Sequence, residues 1–459
     1  MSKKDFDSAS KIEVPDTMLT KLSFAVMGLS NLAHKQFVKG AAFLLIEVAF
    51  IAFMLMGGLQ NLWNMITLGT VETHEEKVEG SMFPRIVYGD NSMLFLLYGI
   101  ITIMIICAFV GFYIANIRSA RNLQQLDAKG AKIPTFLDDA KDMLDGRFHV
   151  TLLFLPIVGI VVFTLVPLVY MILIAFTNYD RDHQVPGNLF HWVGLANFKD
   201  VLFGGAGFAD AFSRTFFGVL IWTLVWAFFA TFTNYFAGII VALVINQKGI
   251  KFKPFWRSVL VLTIAMPQFI SLLVMRNFFS QYGVINRALI NAGFIADLNH
   301  VIPFFTDEHL ARISIIIVNM WVGIPYTMLM SSGILMNIPQ DLYEAATVDG
   351  ANKVQMFFNI TLPQIIFVTT PYLITTFIGN INNFNLIYLL TGGGPSTTEY
   401  YAAGKTDLLV TWLYKLTSDK KDYSLASTIG ILIFIISATF SLITYRNTKS
   451  YKEEDSFQE

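Results

Sequence analysis

The sequence predicts an all-α polytopic membrane protein with about eight transmembrane helices. Of its 459 residues, 54% are hydrophobic and only 14% are charged, whereas a soluble domain carries about 25% charged residues. Apolar runs of about 20 residues, long enough to span a bilayer as helices, recur along the chain. The net charge of -1 excludes the global positive field that is typical of nucleic-acid-binding proteins.

The apolar runs give the expected order of the spans. The fifth run is the weakest, because Pro267 interrupts it and Gln268 and Ser271 are polar. The expected spans cover about 40–59, 93–115, 150–176, 216–245, 257–277, 312–335, 365–390 and 425–446.

Basic residues predict that both termini are cytoplasmic. If the chain crosses the membrane eight times, four segments rich in Lys and Arg lie on one side, and that side is expected to be the cytoplasm. These segments are 1–39, 116–149, 246–256 and 447–459. The 391–424 loop conflicts with this rule, because it falls outside and yet carries four lysines. The four other segments outweigh it.

A stretch at residues 338–363 separates the sixth and seventh runs and is too polar to lie in lipid. We call it the elbow, because its residues predict a helix, a turn and a second helix. Pro339 suits the first turn of a helix, and Gly350 can leave the helical region and end that helix. Apolar residues such as Leu342, Val354 and Phe357 recur at helical spacing. At a membrane surface they need a partner that covers them.

No motif for catalysis, metal binding or nucleotide binding is complete in this sequence. Gly404-Lys405-Thr406 matches the end of a phosphate-binding loop, but Glu399 occupies the position of the required earlier glycine. His74-Glu75-Glu76 lacks the second histidine of a zinc protease. We therefore expect no enzymatic activity, and any nucleotide-derived energy must come from another subunit.

Polar side chains interrupt the seventh run. Asn380, Asn382, Asn383 and Asn385 lie within six residues. Thr376, Asn380 and Asn383 are spaced i, i+4 and i+7, which places them on one face of a continuous helix. Buried amides in a membrane either bond across to neighbouring helices or line a water-filled path. Four of them so close together favour a polar path.

The sixth run carries polar and aromatic residues beside Gly323 and Pro325. Glycine and proline permit a kink, which would turn Asn319, Trp321 and Tyr326 towards a cavity. An amide beside an aromatic face suits a sugar, because hydroxyls need hydrogen-bond partners and a pyranose face packs on a ring. Interfacial anchoring and packing at a kink explain the same residue types equally well.

The elbow resembles a loop of a known family. Glu344-Ala345-Ala346, Gly350 and Ile360-Thr361-Leu362-Pro363 match, in order and spacing, the cytoplasmic loop of the permease subunits of binding-protein-dependent ABC importers. In that family the loop docks in a cleft of the ATPase subunit and couples the two proteins. The resemblance implies that the coupling residues are Glu344, Ala345, Ala346, Gly350, Leu362 and Pro363.

Further motifs resemble the carbohydrate branch of this family, and within it the larger permeases of maltose and maltodextrin importers. These motifs lie at 321–326, 380–384, 389–395 and 403–414. The resemblance covers about 150–446 well, and the first two spans mostly by layout. It implies that the sugar site is lined by Trp321, Gly323, Tyr326, Thr376, Asn380 and Asn383.

The resemblance also implies a domain order and an assembly. The expected order is a cytoplasmic segment 1–39, two extra helices in 40–115, a cytoplasmic connector 116–149, the six-helix permease core 150–446 and a cytoplasmic tail 447–459. Expected partners are a second permease subunit, two ATPase subunits that bind ATP and Mg, and an extracellular sugar-binding protein. We expect no cofactor on this chain itself, and a place in the plasma membrane of a bacterium.

The exterior loop 177–215 departs from the family pattern. Gram-negative maltose permeases carry a large exterior domain between their third and fourth spans, whereas this loop has only about 40 residues. Extra contacts between such a domain and the binding protein are therefore not expected here. The short loop favours a Gram-positive type of cell, in which the binding protein would be anchored by a lipid.

Two other kinds of transporter remain open at this point. One is an ABC permease for another oligosaccharide or for glycerol phosphate. A phosphate would favour basic residues in the cavity, and the interiors of the sixth and seventh spans offer none. The other is an ion-driven secondary transporter, which would need intramembrane carboxylates. Glu47 in the first span is the only obvious one.

Overall fold

The computed structural model describes residues 15–76, 84–184, 188–247 and 249–446 of the chain. The tail 447–459 and the first 14 residues of the segment 1–39 lie outside the described residues. The chain forms two compact units, Met1–Trp192 and Val193–Glu459. Both consist mainly of helices, so the predicted all-α fold is confirmed.

The first unit combines long apolar helices with short polar ones. Its helices are α1 (Met18–Ala25), α2 (Leu29–Ala33), α3 (Phe37–Thr67), α4 (Ser92–Ala128), α5 (Phe136–Leu144) and α6 (Phe148–Ile174), and its antiparallel strands are β1 (His74–Glu76) and β2 (Arg85–Val87). α3, α4 and α6 are long and apolar enough to cross a membrane. α4 continues to Ala128, so the expected connector 116–149 begins as an extension of a membrane helix.

Hydrogen bonds fasten the N-terminal helices α1 and α2 to α4. The Thr20 hydroxyl donates to Oε1 of Gln124 at 2.6 Å. The Asn116 side chain donates to the backbone oxygen of Ser23 and accepts from the backbone N–H of Gly28, both at 2.9 Å. Glu47, the carboxylate of the first span, accepts from the backbone N–H of Met27 at 2.8 Å. Its role in the structure is therefore to fix the turn between α1 and α2.

The second unit is larger and contains the elbow. Its helices are α7 (Ala196–Phe203), α8 (Phe208–Asn246), α9 (Lys253–Ala265), α10 (Gln268–Phe278), α11 (Val284–Asn291), α12 (Glu308–Asn337), α13 (Gln340–Val348), α14 (Lys353–Ile381), α15 (Phe384–Leu390), α16 (Leu409–Lys415) and α17 (Tyr423–Arg446). α8 packs along both α12 and α14. Large side chains such as Trp226 and Tyr235 on α8 are almost completely buried in this core.

Among the described residues, seven helices are long and apolar enough to span a membrane, and a bent pair of helices would make eight. The pair is α9 and α10, which meet at 94°. The interruption predicted at Pro267 is confirmed, because α9 ends at Ala265 and α10 begins at Gln268. The ring of Pro267 removes a backbone donor and blocks continuation of the first helix.

Two predicted boundaries are wrong. α8 begins at Phe208, so the loop expected at 177–215 ends earlier and also contains α7. The single helix expected over 365–390 is in fact two helices, since α14 ends at Ile381 and α15 begins at Phe384. Asn383 is the N-cap residue of α15, and its side chain accepts the backbone N–H of Leu386 at 3.3 Å. A side chain that caps a new helix competes with continuation of the old one.

Candidate functional site

The elbow has the local structure that its sequence predicts. α13 ends at Val348, and Gly350 takes a φ of +83°, a region that favours glycine. Among the described residues, no atom lies within 4 Å of the position that a Cβ on Gly350 would take, so the requirement for glycine there is conformational and not steric. Asn352 then caps the next helix, and Gln355 returns the hydrogen bond to complete a capping box. α14 continues from this turn into the seventh span as one helix.

The elbow helix α13 has no buried residue. Val348 at its end is 87% exposed, and the apolar side chains of Leu342, Val354 and Phe358 are exposed too. Beside them lies a groove of about 460 Å³ whose lining residues are Leu342, Asn359, Ile360, Pro363, Gln364 and Phe367. Exposed apolar residues rimmed by polar ones are typical of a protein interaction site.

The residues expected to couple the elbow to a partner lie mostly on its surface. Glu344, Ala345 and Gly350 on the first half are exposed, and Ala346 is half-buried. In the second half Pro363 is exposed, whereas Leu362 is half-buried and packs near Tyr235 and Ile365. One side-chain hydrogen bond joins the two halves, between the hydroxyls of Tyr343 and Thr361 at 2.9 Å.

A polar stripe runs along α14 above the elbow. It consists of residues spaced three or four apart, which share one face of the helix. These residues are Thr369, Tyr372, Thr376 and Asn380. The Thr369 hydroxyl bonds that of Tyr235 on α8 at 2.7 Å, and the Tyr372 ring stacks on Tyr326 of α12 with ring centroids 5.6 Å apart. The stripe therefore faces the two helices that pack on α14.

Asn380 is fully engaged with α8. It is only 7% exposed, and its side-chain N–H donates to the Thr231 hydroxyl at 2.9 Å. The indole N–H of Trp226 donates to the Asn380 backbone oxygen at 3.1 Å. Of the two roles considered for these amides, bonding between helices is therefore the one that Asn380 has in this conformation.

Asn383 does not share a helix with Thr376 and Asn380, so the expectation of one continuous face is wrong. The break at Asn382 turns Asn383 into the cap of α15. Its side-chain N–H still reaches Oδ1 of Asn380 at 3.4 Å, which keeps the two amides adjacent. Asn382 and Asn385 are exposed.

The sixth span is one helix through Gly323 and Pro325, so the expected kink does not break it. At about 100° per residue, Asn319, Gly323 and Tyr326 share one face of α12, whereas Trp321 lies roughly 200° from Gly323. The structure therefore brings Gly323 and Tyr326 to the polar stripe and places Trp321 on the other side of the helix. The Asn319 side chain donates to the backbone oxygen of Ala230 on α8 at 3.2 Å.

Sequence reasoning missed the contribution of α8. Thr231 and Tyr235 bond Asn380 and Thr369 of α14, and Asn234 lies against Gly323 of α12. On α14 itself, Tyr372 was missed. The signal was present, because polar residues spaced i, i+3 and i+4 in an apolar helix mark one polar face.

The loop after α15 folds around a buried carboxylate. Asp407 has no exposed surface, and it accepts from the Lys415 ammonium at 2.6 Å, the Gly404 backbone N–H at 2.7 Å and the Thr411 hydroxyl at 2.8 Å. Burial raises the pKa of Asp407 above its ordinary value, and the positive charge of Lys415 opposes this shift. Gly393 lies so close to this carboxylate that any side chain there would overlap with it. The three glycines after Leu390 therefore end α15 and form a tightly packed turn around this carboxylate.

Comparison with known proteins decides the family. The model of the inner membrane component of binding-protein-dependent transport systems matches residues 234–449. The galactooligosaccharides transport system permease protein GanP of Bacillus subtilis is 35% identical over 433 residues, which cover 94% of this chain and 97% of GanP. This chain belongs to that permease family. The maltodextrin transport system permease protein MalC of Streptococcus pneumoniae is also 35% identical to this chain, and the match covers 94% of this chain and 95% of MalC.

A shorter match and a solved structure agree with this assignment. The maltose/maltodextrin transport system permease protein MalF of Vibrio parahaemolyticus is 39% identical over 248 residues, which cover 52% of this permease and 46% of that protein. A crystal structure of a bacterial ABC transporter involved in the import of the acidic polysaccharide alginate matches the permease with a TM-score of 0.52 and 22% identity, covering 68% of this chain and 98% of that one. The latter likeness shows a shared fold.

Proposed function

We propose that this permease forms half of the translocation pathway of an ATP-driven maltodextrin importer in the plasma membrane of a bacterium. The observation that carries the proposal is the elbow, whose helix α13 has no buried residue and bears Glu344, Ala345 and Ala346, three of the residues that the family resemblance marks for coupling. Two ATPase subunits would bind ATP and Mg, and one would cover the elbow. A second permease subunit and an extracellular sugar-binding protein complete the assembly.

The elbow is suited to transmit movement, because it joins two transmembrane helices directly. α13 follows α12 after two residues and precedes α14 after four. Both of these helices border the polar stripe, so a displacement of the elbow reaches the stripe through the helices themselves. ATP binding can shift access to the stripe only if the ATPases hold the elbow differently in their two states.

Neutral polar chemistry supports a sugar as the substrate. The stripe offers hydroxyls and amides together with the stacked rings of Tyr326 and Tyr372. Between Ile313 and Asn337 on α12, and between Val354 and Ile381 on α14, there is no charged side chain. A pyranose presents hydroxyls and a flat C–H face, which such a lining can bind without ionic contacts. This disfavours a phosphorylated substrate.

Galacto-oligosaccharides are the second candidate substrate. The observation in their favour is the 35% identity to GanP along 94% of this chain, which matches the level of identity to the maltodextrin permease MalC. The two candidates differ in the configuration at C4 of their sugar units and in the glycosidic linkages between them. They are therefore separated by a transport measurement with both sugars.

Uptake of labelled sugars tests the proposed substrate. A host that lacks its own oligosaccharide importers would express this permease together with its partner subunits. We expect accumulation of labelled maltotriose that requires ATP, and slower accumulation of a labelled galactotriose. Faster uptake of the galactosyl sugar would replace the first substrate assignment by the second. Uptake of neither sugar would overturn the proposed function.

Substitutions in the elbow test the coupling role. Gly350→Pro cannot adopt the φ of +83° found there, and Glu344→Lys reverses a charge on the exposed helix. We expect both variants to insert in the membrane at the normal level and to lose transport. Asp145→Lys, a charge reversal at an exposed position of the connector, is the matched control and should transport normally. Wild-type uptake by either elbow variant would contradict the coupling role.

A further inference from the structure

Asn234 on α8 has an unusual environment for an amide in a transmembrane helix. The residue is only 8% exposed. Its side-chain oxygen Oδ1 is buried and has no hydrogen-bond partner among the residues that the structure describes. A buried polar atom without a partner lowers stability, so each such atom in a native protein needs an explanation.

The neighbouring polar groups make this oxygen stand out. One turn earlier on α8, Thr231 pairs with Asn380 and the backbone oxygen of Ala230 accepts from Asn319. The next residue, Tyr235, pairs with Thr369. Every one of these groups uses its hydrogen-bonding capacity between helices. Asn234 lies within the same polar surface and leaves an acceptor unused.

Gly323 on α12 provides the space that Asn234 occupies. A Cβ added at Gly323 would overlap with the side-chain amide of Asn234. The absence of a side chain at this position therefore permits the amide to lie between α8 and α12. On α12 the same face carries Asn319 and Tyr326, and the ring of Tyr326 is exposed beside the polar stripe. The unused acceptor is thus adjacent to the surface that we assign to the sugar.

We propose that Asn234 is a specificity-determining residue, whose Oδ1 accepts a hydrogen bond from one sugar hydroxyl, and that Gly323 is a positioning residue for it. This inference rests on the proposed function. A neutral amide oxygen matches a neutral hydroxyl donor, and Asn234 is the residue of this surface whose acceptor the described structure leaves free. Because the oxygen is buried in this conformation, sugar reaches the amide only if α12 moves relative to α8.

Equilibrium binding of sugar to the purified complete complex tests the assignment. Asn234→Leu removes the amide and keeps a similar volume. We expect labelled maltotriose to bind the variant about three- to tenfold more weakly, the factor that one hydrogen bond contributes. The melting temperature of the complex should be unchanged or higher, because the substitution removes an unpartnered polar group. If Asn234 had a purely structural role, the substitution would instead lower the melting temperature and leave the affinity for maltotriose unchanged.

The control is the adjacent residue on the same helix. The Thr233 hydroxyl bonds the backbone oxygen of Phe229 within α8, and the residue is not part of the polar surface. Thr233→Val should bind sugar as the wild type does. Gly323→Ala should weaken binding in the wild-type background and have little further effect in Asn234→Leu, because both changes act through the same amide.

Monodeoxy analogues of maltose identify the hydroxyl. The analogue that lacks the hydroxyl bound by Asn234 should have the same affinity for the wild type and for Asn234→Leu. Every other analogue should bind the variant more weakly than it binds the wild type. Equal weakening of all analogues, or unchanged maltotriose binding, would overturn the role of Asn234 and leave the importer proposal intact. A wild-type complex that binds neither maltotriose nor a galactosyl trisaccharide would overturn both.

Discussion

At the scale of single residues, Asp407 shows how one buried carboxylate organises a loop. Its three donors come from the turn before α16, from the first turn of α16 and from Lys415 at the end of that helix. Burial of a charge costs free energy unless partners compensate for it. Burial raises the pKa of Asp407, and the Lys415 ammonium together with the two hydrogen bonds opposes that rise.

We expect Asp407→Ala to lower the free energy of unfolding by about 3–5 kcal/mol, because it leaves the Lys415 ammonium without its partner. Thermal melting of the purified complex measures this loss. The double variant Asp407→Leu, Lys415→Met should be less damaging than the single one, since no buried charge remains. Glu399→Gln is the control, because the Glu399 side chain is 69% exposed although it pairs with Lys405 at 2.6 Å. If Asp407→Ala lowered the melting temperature no more than Glu399→Gln does, the stabilising role of the buried Asp407–Lys415 pair would be contradicted.

The asparagine cluster shows what residue type can and cannot predict. Four amides in an apolar run predicted a polar path through the membrane, and this path stays a prediction. The sequence could not show that Asn380 bonds Thr231 or that Asn383 caps α15, because both roles depend on where α8 lies and where α14 ends. The spacing of Asn234 with Thr231 and Tyr235 marks a polar face of α8, but only the structure shows that its Oδ1 is buried without a partner among the described residues and that it lies against Gly323.

At the scale of elements, the elbow depends on a contact between its two helices. The hydroxyls of Tyr343 on α13 and Thr361 on α14 form the one side-chain hydrogen bond between them that the described structure records. Because α13 has no buried residue, few other contacts hold it to the rest of the protein. A force applied to α13 would therefore reach α14 partly through this pair.

We expect Tyr343→Phe to reduce sugar uptake about two- to tenfold, the factor that corresponds to one partly buried hydrogen bond. ATP hydrolysis by the complex should fall less than uptake, because the ATPases still bind the elbow. Thr361→Val should have the same effect, and the double variant should be no worse than either single one. Thr347→Val removes another hydroxyl of α13, whose bond stays within the helix, and serves as the control. Additive effects of the two substitutions would show that the residues act independently.

Elements with strong local signals were predicted well. Pro339 and Gly350 correctly predicted the helix and turn of the elbow, and Pro267 correctly predicted the break in the fifth span. Proline fixes its own φ and glycine permits a positive φ, and both effects are independent of the surrounding structure. The break at Asn382 was missed, since an asparagine stops a helix only where its side chain finds a backbone N–H to cap. The extension of α4 to Ala128 was also missed, because hydropathy marks where lipid contact ends and not where the helix ends.

At the scale of the whole molecule, the orientation of the elbow depends on the bent pair α9 and α10. The two helices meet at 94°, so the pair is either one broken crossing of the membrane or a re-entrant loop. A single crossing puts the short loop around Lys251 and the elbow on the same side, as the distribution of basic residues predicts. A re-entrant loop would move the elbow to the opposite side. The coupling role requires the first arrangement.

Accessibility of single cysteines separates these arrangements. Cys107 is the one cysteine of the chain, so Cys107→Ser gives a background without thiols. Three exposed positions of the second unit then receive a cysteine each: Lys251, Phe294 and Val348. In intact cells, a maleimide that cannot cross the membrane should label Phe294→Cys alone, and all three should react after permeabilisation. Labelling of Val348→Cys, with Phe294→Cys protected, would place the elbow outside. An ATP-binding partner could not reach it there, because ATP is used in the cytoplasm, and the coupling role would fail together with the eight-span topology.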